Sequence, residues 1–359
     1  MKVKKKKNLN TEIRFNGEAL RVAISRLKLA LLTPKISPQV EIHFDCRDGW
    51  AWIGFHSGGR AAWVHIAESF DFAPFFIAFG DVERMAHRFC FTQDLASGNV
   101  FIDGRKCGIV SDDAEMLLPQ PVAKLDYGLF YGFVLRTEEA LSSRPGRCFV
   151  GIRDGQIVVH DHATLIWALD FPMQTHEPGF DFCEFTVEEI KATSSLTGDV
   201  RVVRLGSKCG LMFDDLIFLR NPVGILSTER LATLKIHSAS FVIGTERIAN
   251  AIKRARREYK HEGVMRLWLT LAECWLLENE AGKVLAEGKC SSMSVGAKPV
   301  RVLLDGFRLE RALRHLGFYQ PAAFRLADFG SLSNIVAISP ETFGRQTVFV
   351  CPLYDDGEV

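Results

Sequence analysis

The sequence has 359 residues, a mass of 40.2 kDa and nearly balanced charge, with 44 Lys and Arg against 43 Asp and Glu. This length predicts two or three domains, and a hydrophobic share of 47% excludes a largely disordered chain. No apolar stretch approaches the roughly 20 residues of a transmembrane helix. No apolar segment follows the basic start MKVKKKKNLN, so we expect a cytoplasmic protein without a secretory signal.

The nine cysteines are scattered along the chain, and no two form a CxxC pair. This spacing argues against a zinc site and against a disulfide framework. Most cysteines stand beside Phe, Val, Leu or Gly, which predicts small buried side chains. We therefore expect neither a metal nor another cofactor.

One local pattern recurs in chain order: a short apolar stretch, a helix-like stretch, then alternating strand signals. Apolar residues spaced by three and four positions predict six helices, about 57 residues apart on average. Their predicted starts lie near residues 19, 81, 137, 186, 245 and 306. The predicted N-caps of three of them are Thr137, Thr186 and Thr245. Six similar junctions at similar spacing indicate an internal repeat and not an ordinary α+β chain.

The strand segments contain hairpin turns where glycine supplies a positive φ. Such turns are predicted at Asp48-Gly49, Asp154-Gly155 and near Gly282. Taken in pairs, the six units predict an α+β protein with three domains of similar length. The predicted ranges are a basic disordered tail (1–10), domain 1 (11–122), domain 2 (123–236) and domain 3 (237–359).

Three segments resemble the bacterial sliding clamp, the β subunit of DNA polymerase III. FVIGTERIANAIKRA (241–255) is similar to the opening helix of the family's third domain. The segment 307–340 is similar to the last helix of the family and the strands that follow it. VFVCPLY (348–354) is similar to the terminal segment, with Cys351 in place of a methionine. The resemblance covers nearly the whole chain after the basic tail.

The resemblance implies three tandem clamp-like domains that form a half ring, and a head-to-tail homodimer that closes the ring. Helices would line the hole, and an edge strand of domain 1 would pair with domain 3 of the other copy. Such a clamp is a non-enzymatic processivity factor that encircles double-stranded DNA. Its partners would be DNA polymerase, an ATP-driven clamp loader and other clamp-binding peptides. We expect it at the nucleoid and not at a membrane.

The charge distribution agrees with a hole that attracts phosphate. The six predicted helices carry a net charge of +8 and the tail +5, which leaves −12 on the strands and loops. Phosphate contacts carry no base sequence, which suits a protein that slides. The predicted DNA contacts are Arg26, Lys28, Arg84, Arg88, Arg136, Arg144, Lys191, Arg247, Lys253, Arg254, Arg256, Arg257, Lys260, Arg308, Arg311 and Arg314.

The resemblance also implies one apolar pocket for partner peptides, with the C-terminal segment as a wall. The residues at the corresponding positions are Asp161, Thr164, Leu165, Pro222, Leu226, Val350, Cys351, Pro352 and Leu353. The turn at 161–164 departs from the family, because it lacks the usual Gly and Arg. This departure leaves the identity of the bound peptides open.

Two alternatives remain at the level of sequence. Asp112-Asp113 and Asp214-Asp215 are paired carboxylates of the kind that hold Mg²⁺ in a nucleic-acid-processing enzyme, although repeated turns explain them better. A clamp-like module that no longer encircles DNA, such as a decoy for clamp-binding proteins, is the second alternative. Asp328-Phe329-Gly330 spells a kinase motif, but the other kinase motifs are missing, so a kinase is rejected.

Overall fold

The computed structural model describes residues 10–68, 72–84, 89–141, 148–161, 163–192, 198–224, 228–259, 263–317, 321–340 and 346–353. These residues form two compact units. The first comprises Met1–Tyr127 with Glu188–Pro222, and the second comprises Gly128–Val187 with Val223–Val359. No helix in the described ranges is long and apolar enough to cross a membrane.

The elements alternate as the repeat pattern predicts. The helices are α1 (Gly17–Ala30), α2 (Phe79–Arg84), α3 (Tyr127–Leu141), α4 (Val187–Ala192), α5 (Thr228–Ala232), α6 (Thr245–Ala255) and α7 (Gly306–Leu316), with a 3-10 helix at Asp112–Ala114. The strands are β1 (Asn10–Phe15), β2 (Glu41–Arg47), β3 (Trp50–Ser57), β4 (Arg60–Glu68), β5 (Phe75–Ala78), β6 (Phe89–Asp94), β7 (Asn99–Ile102), β8 (Arg105–Val110), β9 (Gln120–Asp126), β10 (Phe149–Arg153), β11 (Gln156–His160), β12 (Thr164–Ala168), β13 (Met173–Thr175), β14 (Cys183–Thr186), β15 (Asp199–Leu205), β16 (Lys208–Met212), β17 (Leu216–Arg220), β18 (Lys235–Gly244), β19 (Arg266–Leu271), β20 (Cys274–Asn279), β21 (Val284–Lys289), β22 (Ser292–Met293), β23 (Val300–Asp305), β24 (Pro321–Phe329), β25 (Leu332–Pro340) and β26 (Gln346–Val350).

The first unit is built on antiparallel strands in the order β1-β6-β7-β8-β5-β2-β3-β4-β17-β16-β15-β9. Helix α1 packs on β3 and β4 through Leu20, Ala23 and Leu27, whose spacing of three and four places them on one face. The side chain of Asn16 caps this helix by accepting a hydrogen bond from the backbone N–H of Glu18 at 2.9 Å. A cluster of stacked and edge-on phenylalanine rings fills the core beside the helix, and it contains Phe15, Phe44, Phe72, Phe75 and Phe91.

The second unit contains two antiparallel sheets. Their strand orders are β14-β10-β11-β12-β26-β25-β24-β18-β22 and β21-β20-β19-β23. Helix α6 packs against α7 and β21. Buried Ile248, Ala251, Ile252 and Ala255 recur at helical spacing, so α6 has one apolar face and one charged face.

The same strand pairing occurs three times, which accounts for the predicted repeat. The strand before the first helix pairs with the strand after the second helix in β1–β6, β9–β15 and β18–β24. The complementary pairs are β2–β5, β10–β14 and β19–β23. The division of the chain at residues 122 and 236 stays a prediction, since the two compact units are not bounded there.

Five of the six predicted helix starts lie within two residues of the observed starts, and the third is wrong. Helix α3 begins at Tyr127, and Thr137 is buried within it, where its Oγ1 donates to the carbonyl oxygen of Phe133 at 2.9 Å. The first part of this helix, Tyr127–Val134, is almost entirely apolar, so it lacks the regular alternation of apolar and polar residues by which a helix is predicted. The N-cap of α6 is Gly244 and not Thr245.

The predicted turns and cysteines are recovered in part. Asp48 and Gly49 have φ of 53° and 77°, and Gly155 and Gly282 also have positive φ. Glycine tolerates this region because it has no Cβ. The expectation of buried cysteines holds for Cys148, Cys183 and Cys209, whereas the other six are partly or fully exposed.

Candidate functional site

A broad basic depression lies on the charged face of α6 in the second unit. It has a volume of about 840 Å³, and six cationic side chains and two carboxylates contribute to its lining. The basic depression is lined by Arg247, Asn250, Lys253, Arg254, Arg256, Arg257, Leu285, Ala286, Glu287, Glu310 and Arg314. Arg247, Lys253 and Arg254 lie on α6, which buries its apolar face against the core, Arg256 and Arg257 follow its end, and Arg314 comes from α7.

Glu310 positions two of these cations. Its carboxylate is buried in α7 and lies 2.9 Å from Nη2 of Arg314 and 3.5 Å from Nη1 of Arg256. The guanidinium of Arg256 also lies 5.7 Å from the ring centroid of Phe307. The two arginine side chains are still more than half exposed, at 57% and 60%. They can therefore present charge to a polyanion while the buried carboxylate holds their direction.

The other two predicted DNA contacts on α7 are placed differently. Arg308 Nη1 lies 3.0 Å from the Asp161 carboxylate and 3.3 Å from the Thr164 hydroxyl. Arg311 is half-buried, and burial lowers the pKa of its guanidinium, with the charge of Arg308 as a second cause. Arg308 is thus engaged inside the second unit, and neither side chain lines the basic depression.

The remaining predicted contacts within the described residues are distributed over α1, α2, α3 and α4. Arg26 is tied to Asp215 by two hydrogen bonds of 2.6 and 3.0 Å, and Lys28 lies 5.1 Å from the ring centroid of Phe79. Arg84 and Arg136 are exposed, and Lys191 is half-buried in α4. Arg88, Arg144 and Lys260 lie outside the described residues.

An apolar cavity of about 170 Å³ lies on the outer face of the paired strands β12 and β26. The cavity is lined by His160, Thr164, Leu165, Arg230, Leu234, Phe329, Leu332, Ile335, Phe349 and Cys351. Cys351 donates its backbone N–H to the carbonyl oxygen of Ala163 at 2.9 Å, which extends the β12–β26 pairing to the rim. Burial raises the pKa of the Cys351 thiol, and this favours its neutral form.

Three of the nine predicted pocket residues line this cavity: Thr164, Leu165 and Cys351. Asp161 lies behind the rim, where it accepts the backbone N–H of Thr164 at 2.9 Å and binds Arg308. Val350 is buried, and Leu353 donates its backbone N–H to the carbonyl oxygen of Leu303 at 2.8 Å. Pro352 is half-buried, Pro222 is exposed at the end of the first unit, and Leu226 lies outside the described residues.

Sequence reasoning missed most of the cavity wall. Phe329, which belongs to the rejected kinase-like motif, lines the cavity, and the neighbouring Asp328 carboxylate lies 2.8 Å from Nε2 of His237. Leu332 and Ile335 come from β25, in which apolar residues are not confined to one face of the strand. Arg230 lies in α5 and Leu234 just after it, and the repeat pattern does not predict this helix. The only sign of this part of the wall in the sequence is the presence of apolar residues in an otherwise polar connecting segment.

The paired carboxylates do not form a shared site. Asp112 and Asp113 lie in the 3-10 helix, whereas Asp214 and Asp215 lie in the turn between β16 and β17, so the two pairs are not equivalent turns. Asp215 is engaged by Arg26. No group of three or more His, Cys, Asp or Glu side chains with metal-ligand geometry occurs in the described residues.

Comparison of the structure with solved structures identifies its fold. The β subunit of DNA polymerase III from Thermotoga maritima matches with a TM-score of 0.55 and 13% identity over 96% of this chain and 99% of that one. The β clamp of Caulobacter crescentus matches with a TM-score of 0.57 and 11% identity, covering 96% and 100%. The Helicobacter pylori β clamp bound to a DNA ligase peptide matches with a TM-score of 0.52 and 12% identity, covering 96% and 100%.

No protein-family model matches the sequence, and no curated protein matches it. The structural matches show that the chain has the fold of the bacterial β sliding clamps along nearly its whole length, in a highly divergent sequence. The resemblance inferred from three sequence segments is confirmed at the level of the fold.

Proposed function

We propose that this protein is a DNA sliding clamp, a non-catalytic processivity factor that encircles duplex DNA as a head-to-tail homodimer. The observation that carries the proposal is the threefold strand pairing, which leaves a free end of β8 in the first unit and the edge of β21 in the second. Pairing of these two edges between two copies would close a ring and would cover both edges.

The basic depression supports duplex DNA as the ligand inside the ring. Six cations on and around α6 would contact phosphates of any sequence, and such contacts allow sliding. Polymerase and an ATP-driven loader are the partners we propose. The protein would act in the cytoplasm at the nucleoid.

A topological test separates a ring from ordinary DNA binding. The protein, loaded with the clamp loader of its host, should remain on nicked circular DNA in high salt and leave the same DNA after linearisation. Sedimentation should give twice 40.2 kDa. A stable monomer, or equal retention on circular and linear DNA, contradicts the proposal and supports the decoy module.

A double charge reversal in the basic depression tests the DNA-facing side. Arg254→Glu with Arg257→Glu should lower retention on circular DNA roughly tenfold or more, because each lost phosphate contact weakens binding and each new carboxylate repels phosphate. The matched control is Lys35→Glu with Lys298→Glu, two exposed lysines outside the basic depression and outside β8 and β21. Equal retention by both double variants would contradict the assignment.

We further propose that the apolar cavity binds a short partner peptide. Its wall of Leu165, Leu234, Leu332, Ile335 and Phe349 would take leucine or phenylalanine side chains, and His160, Arg230 and Thr164 would orient the peptide. One of the matched structures, the H. pylori clamp, carries a DNA ligase peptide.

Placing a charge inside the cavity tests this site. A fluorescent ten-residue peptide with adjacent Leu and Phe should bind the wild-type protein, and Leu165→Arg should weaken binding at least tenfold, since the cation would be buried among apolar side chains. The control Val295→Arg changes a fully exposed valine. Retention of peptide binding by Leu165→Arg, with an unchanged melting temperature, would place the peptide elsewhere.

A further inference from the structure

Two strand junctions inside this chain share one electrostatic plan, by which we mean that a charged third residue of a helix contacts the first residue of a strand from the neighbouring repeat. At the β4–β17 junction, Glu189 is the third residue of α4, and its Oε1 lies 2.6 Å from Nε of Arg60, the first residue of β4. Its other oxygen binds Arg220, the last residue of β17, which lies directly opposite Arg60. A single buried carboxylate thus neutralises two arginines that face each other across the junction.

The β12–β26 junction repeats the plan with the opposite charge. Arg308 is the third residue of α7, and its Nη1 reaches the hydroxyl of Thr164, the first residue of β12, at 3.3 Å. It also binds Asp161, whose backbone N–H closes the turn before β12 on the carbonyl oxygen of Thr164 at 3.1 Å. In both junctions the third residue of the helix contacts the beginning of the strand that joins from the neighbouring repeat.

The repeat has a third position of this kind, on α2. Asp81 is the third residue of α2 and shares a depression of about 410 Å³ with Lys106 and Cys107 of β8. Burial raises the pKa of Cys107 to about 12, and the negative charge of Asp81 adds to this shift. At 3.7 Å from Nη2 of Arg84, Asp81 has a long ion pair within its own helix.

Part of β8 is available for a further strand. Gly108, Ile109 and Val110 pair with β5, whereas Arg105 and Lys106 pair with β7 only, among the strands that the structure describes. The strand β26 behaves similarly, since it pairs with β12 and its continuation at Leu353 then bonds to Leu303 of β23. Within the described residues of a single copy, the corresponding part of β8 lacks such a neighbour.

The strand that corresponds to β4 and β12 is β21, at the edge of the four-stranded sheet. Lys283 immediately precedes it, and its carbonyl oxygen accepts the backbone N–H of Asn279 at 3.0 Å. This turn closure places Lys283 where Thr164 and Arg60 stand in the other two junctions. Its side chain is exposed.

We infer that Asp81 of one protomer forms an ion pair with Lys283 of a second copy of this chain, at a β8–β21 junction built on the plan of the two internal ones. Lys106 would take the position of Arg220, so one carboxylate would again lie between two cations. This inference rests on the proposed ring, and the ring could exist without this ion pair. A closed dimer contains the pair twice, once at each junction.

A charge swap tests the pair. Asp81→Lys and Lys283→Asp should each raise the dissociation constant of the dimer about tenfold or more in sedimentation at low salt, because like charges would then face each other at both junctions. The double variant Asp81→Lys/Lys283→Asp should recover most of the wild-type dimer. Matched controls are Glu83→Lys on the same helix and Lys298→Asp in the loop before β23, both exposed, which should leave the dimer unchanged.

The outcomes separate the pair from the ring. A monomeric wild-type protein overturns the ring itself. A wild-type dimer that either single variant leaves intact, or that the double variant fails to restore, overturns the ion pair while the ring stands. The far-ultraviolet circular dichroism and the melting temperature of each variant exclude misfolding as the cause.

Discussion

The two internal strand junctions, β4–β17 and β12–β26, have the same backbone arrangement but differ in whether a connecting segment covers them. At β4–β17 the connecting segment closes the outer face, because Met116 is buried against Trp63, Ile217 and Leu219. At β12–β26 the connecting segment contains α5, and the cavity remains open between Leu165, Leu234 and Phe349. The strand pairing is the same, so the side chain that the connection inserts decides whether a junction is closed or keeps a cavity open.

A buried carboxylate holds the closed junction together. Asp45 is 2% exposed, and its carboxylate accepts the backbone N–H of Met116 at 2.8 Å, the backbone N–H of Cys46 at 2.8 Å and Nε of Arg47 at 2.9 Å. These bonds anchor the connection over the sheet. The open junction places its buried carboxylate, Asp161, on Arg308 behind the rim and leaves the apolar floor uncovered.

The largest expected effect comes from removing the carboxylate of Glu189, which binds Arg60 and Arg220 at the closed junction. Glu189→Ala would leave Arg60 and Arg220 facing each other without a counter-charge and should lower the free energy of unfolding by about 3–5 kcal/mol. Urea denaturation followed by circular dichroism measures this loss. The neighbouring half-buried Glu188→Gln is the control, and an equal effect of the two substitutions would show that the ion pairs contribute little.

The next effect tests whether Met116 closes the junction. Met116→Ala should cost about 2–5 kcal/mol in unfolding free energy and create a void on the outer face of β4–β17. The exposed Leu117→Ala is a matched control for the same segment. If the Leu and Phe peptide that fits the open cavity also bound the Met116→Ala variant at a second site, the two junctions would be shown to share their binding surface.

A smaller effect is expected at the open junction. Arg308→Ala should lower the unfolding free energy by about 1–3 kcal/mol, since Asp161 keeps its hydrogen bonds from the backbone. Peptide binding should weaken, because Arg308 holds the hydroxyl of Thr164, which lines the cavity. Retention on circular DNA should match the wild type. A loss of DNA retention as large as that of the Arg254 and Arg257 double variant would return Arg308 to the DNA-facing group.

The smallest effect concerns the pH dependence of two histidines on β2 and β3, beside the closed junction. The rings of His43 and His56 stack with centroids 5.3 Å apart on β2 and β3. Burial, then the charges of His43 and Lys208, lowers the pKa of His56 to about 4, and burial lowers the pKa of His43. The unfolded chain takes up these protons near pH 6.5, so stability should be full above about 6.5 and should fall toward pH 4.

Melting temperatures between about pH 7 and pH 4.5 measure this dependence. His56→Phe keeps a ring in the stack and removes one titrating group, so its melting temperature should decline less than that of the wild type over this range. The exposed His176→Gln should keep the wild-type slope. A His56→Phe slope as steep as the wild type would assign the acid sensitivity to other groups.

Sequence reasoning located the basic depression but not the cavity wall. Arg254 lies on α6 and Arg257 two residues beyond its end, so both belong to one contiguous segment, and the apolar stripe of the helix determines which of its side chains face solvent. The cavity wall draws on α5, β11, β12, β24, β25 and β26 and on residues adjoining them, most of which are far apart in the chain. A local pattern cannot reveal which of these apolar side chains converge.

By itself, the sequence determined the repeat, the positions of five of the six repeat helices and the separation of positive charge onto them, because helical spacing and turn chemistry are local properties. Tertiary structure alone decided that Arg308 binds Asp161, that Met116 fills one junction and that the other stays open. The physical reason is that the strength of an ion pair or an apolar contact depends on distance and burial in space, and strands remote in the chain set both.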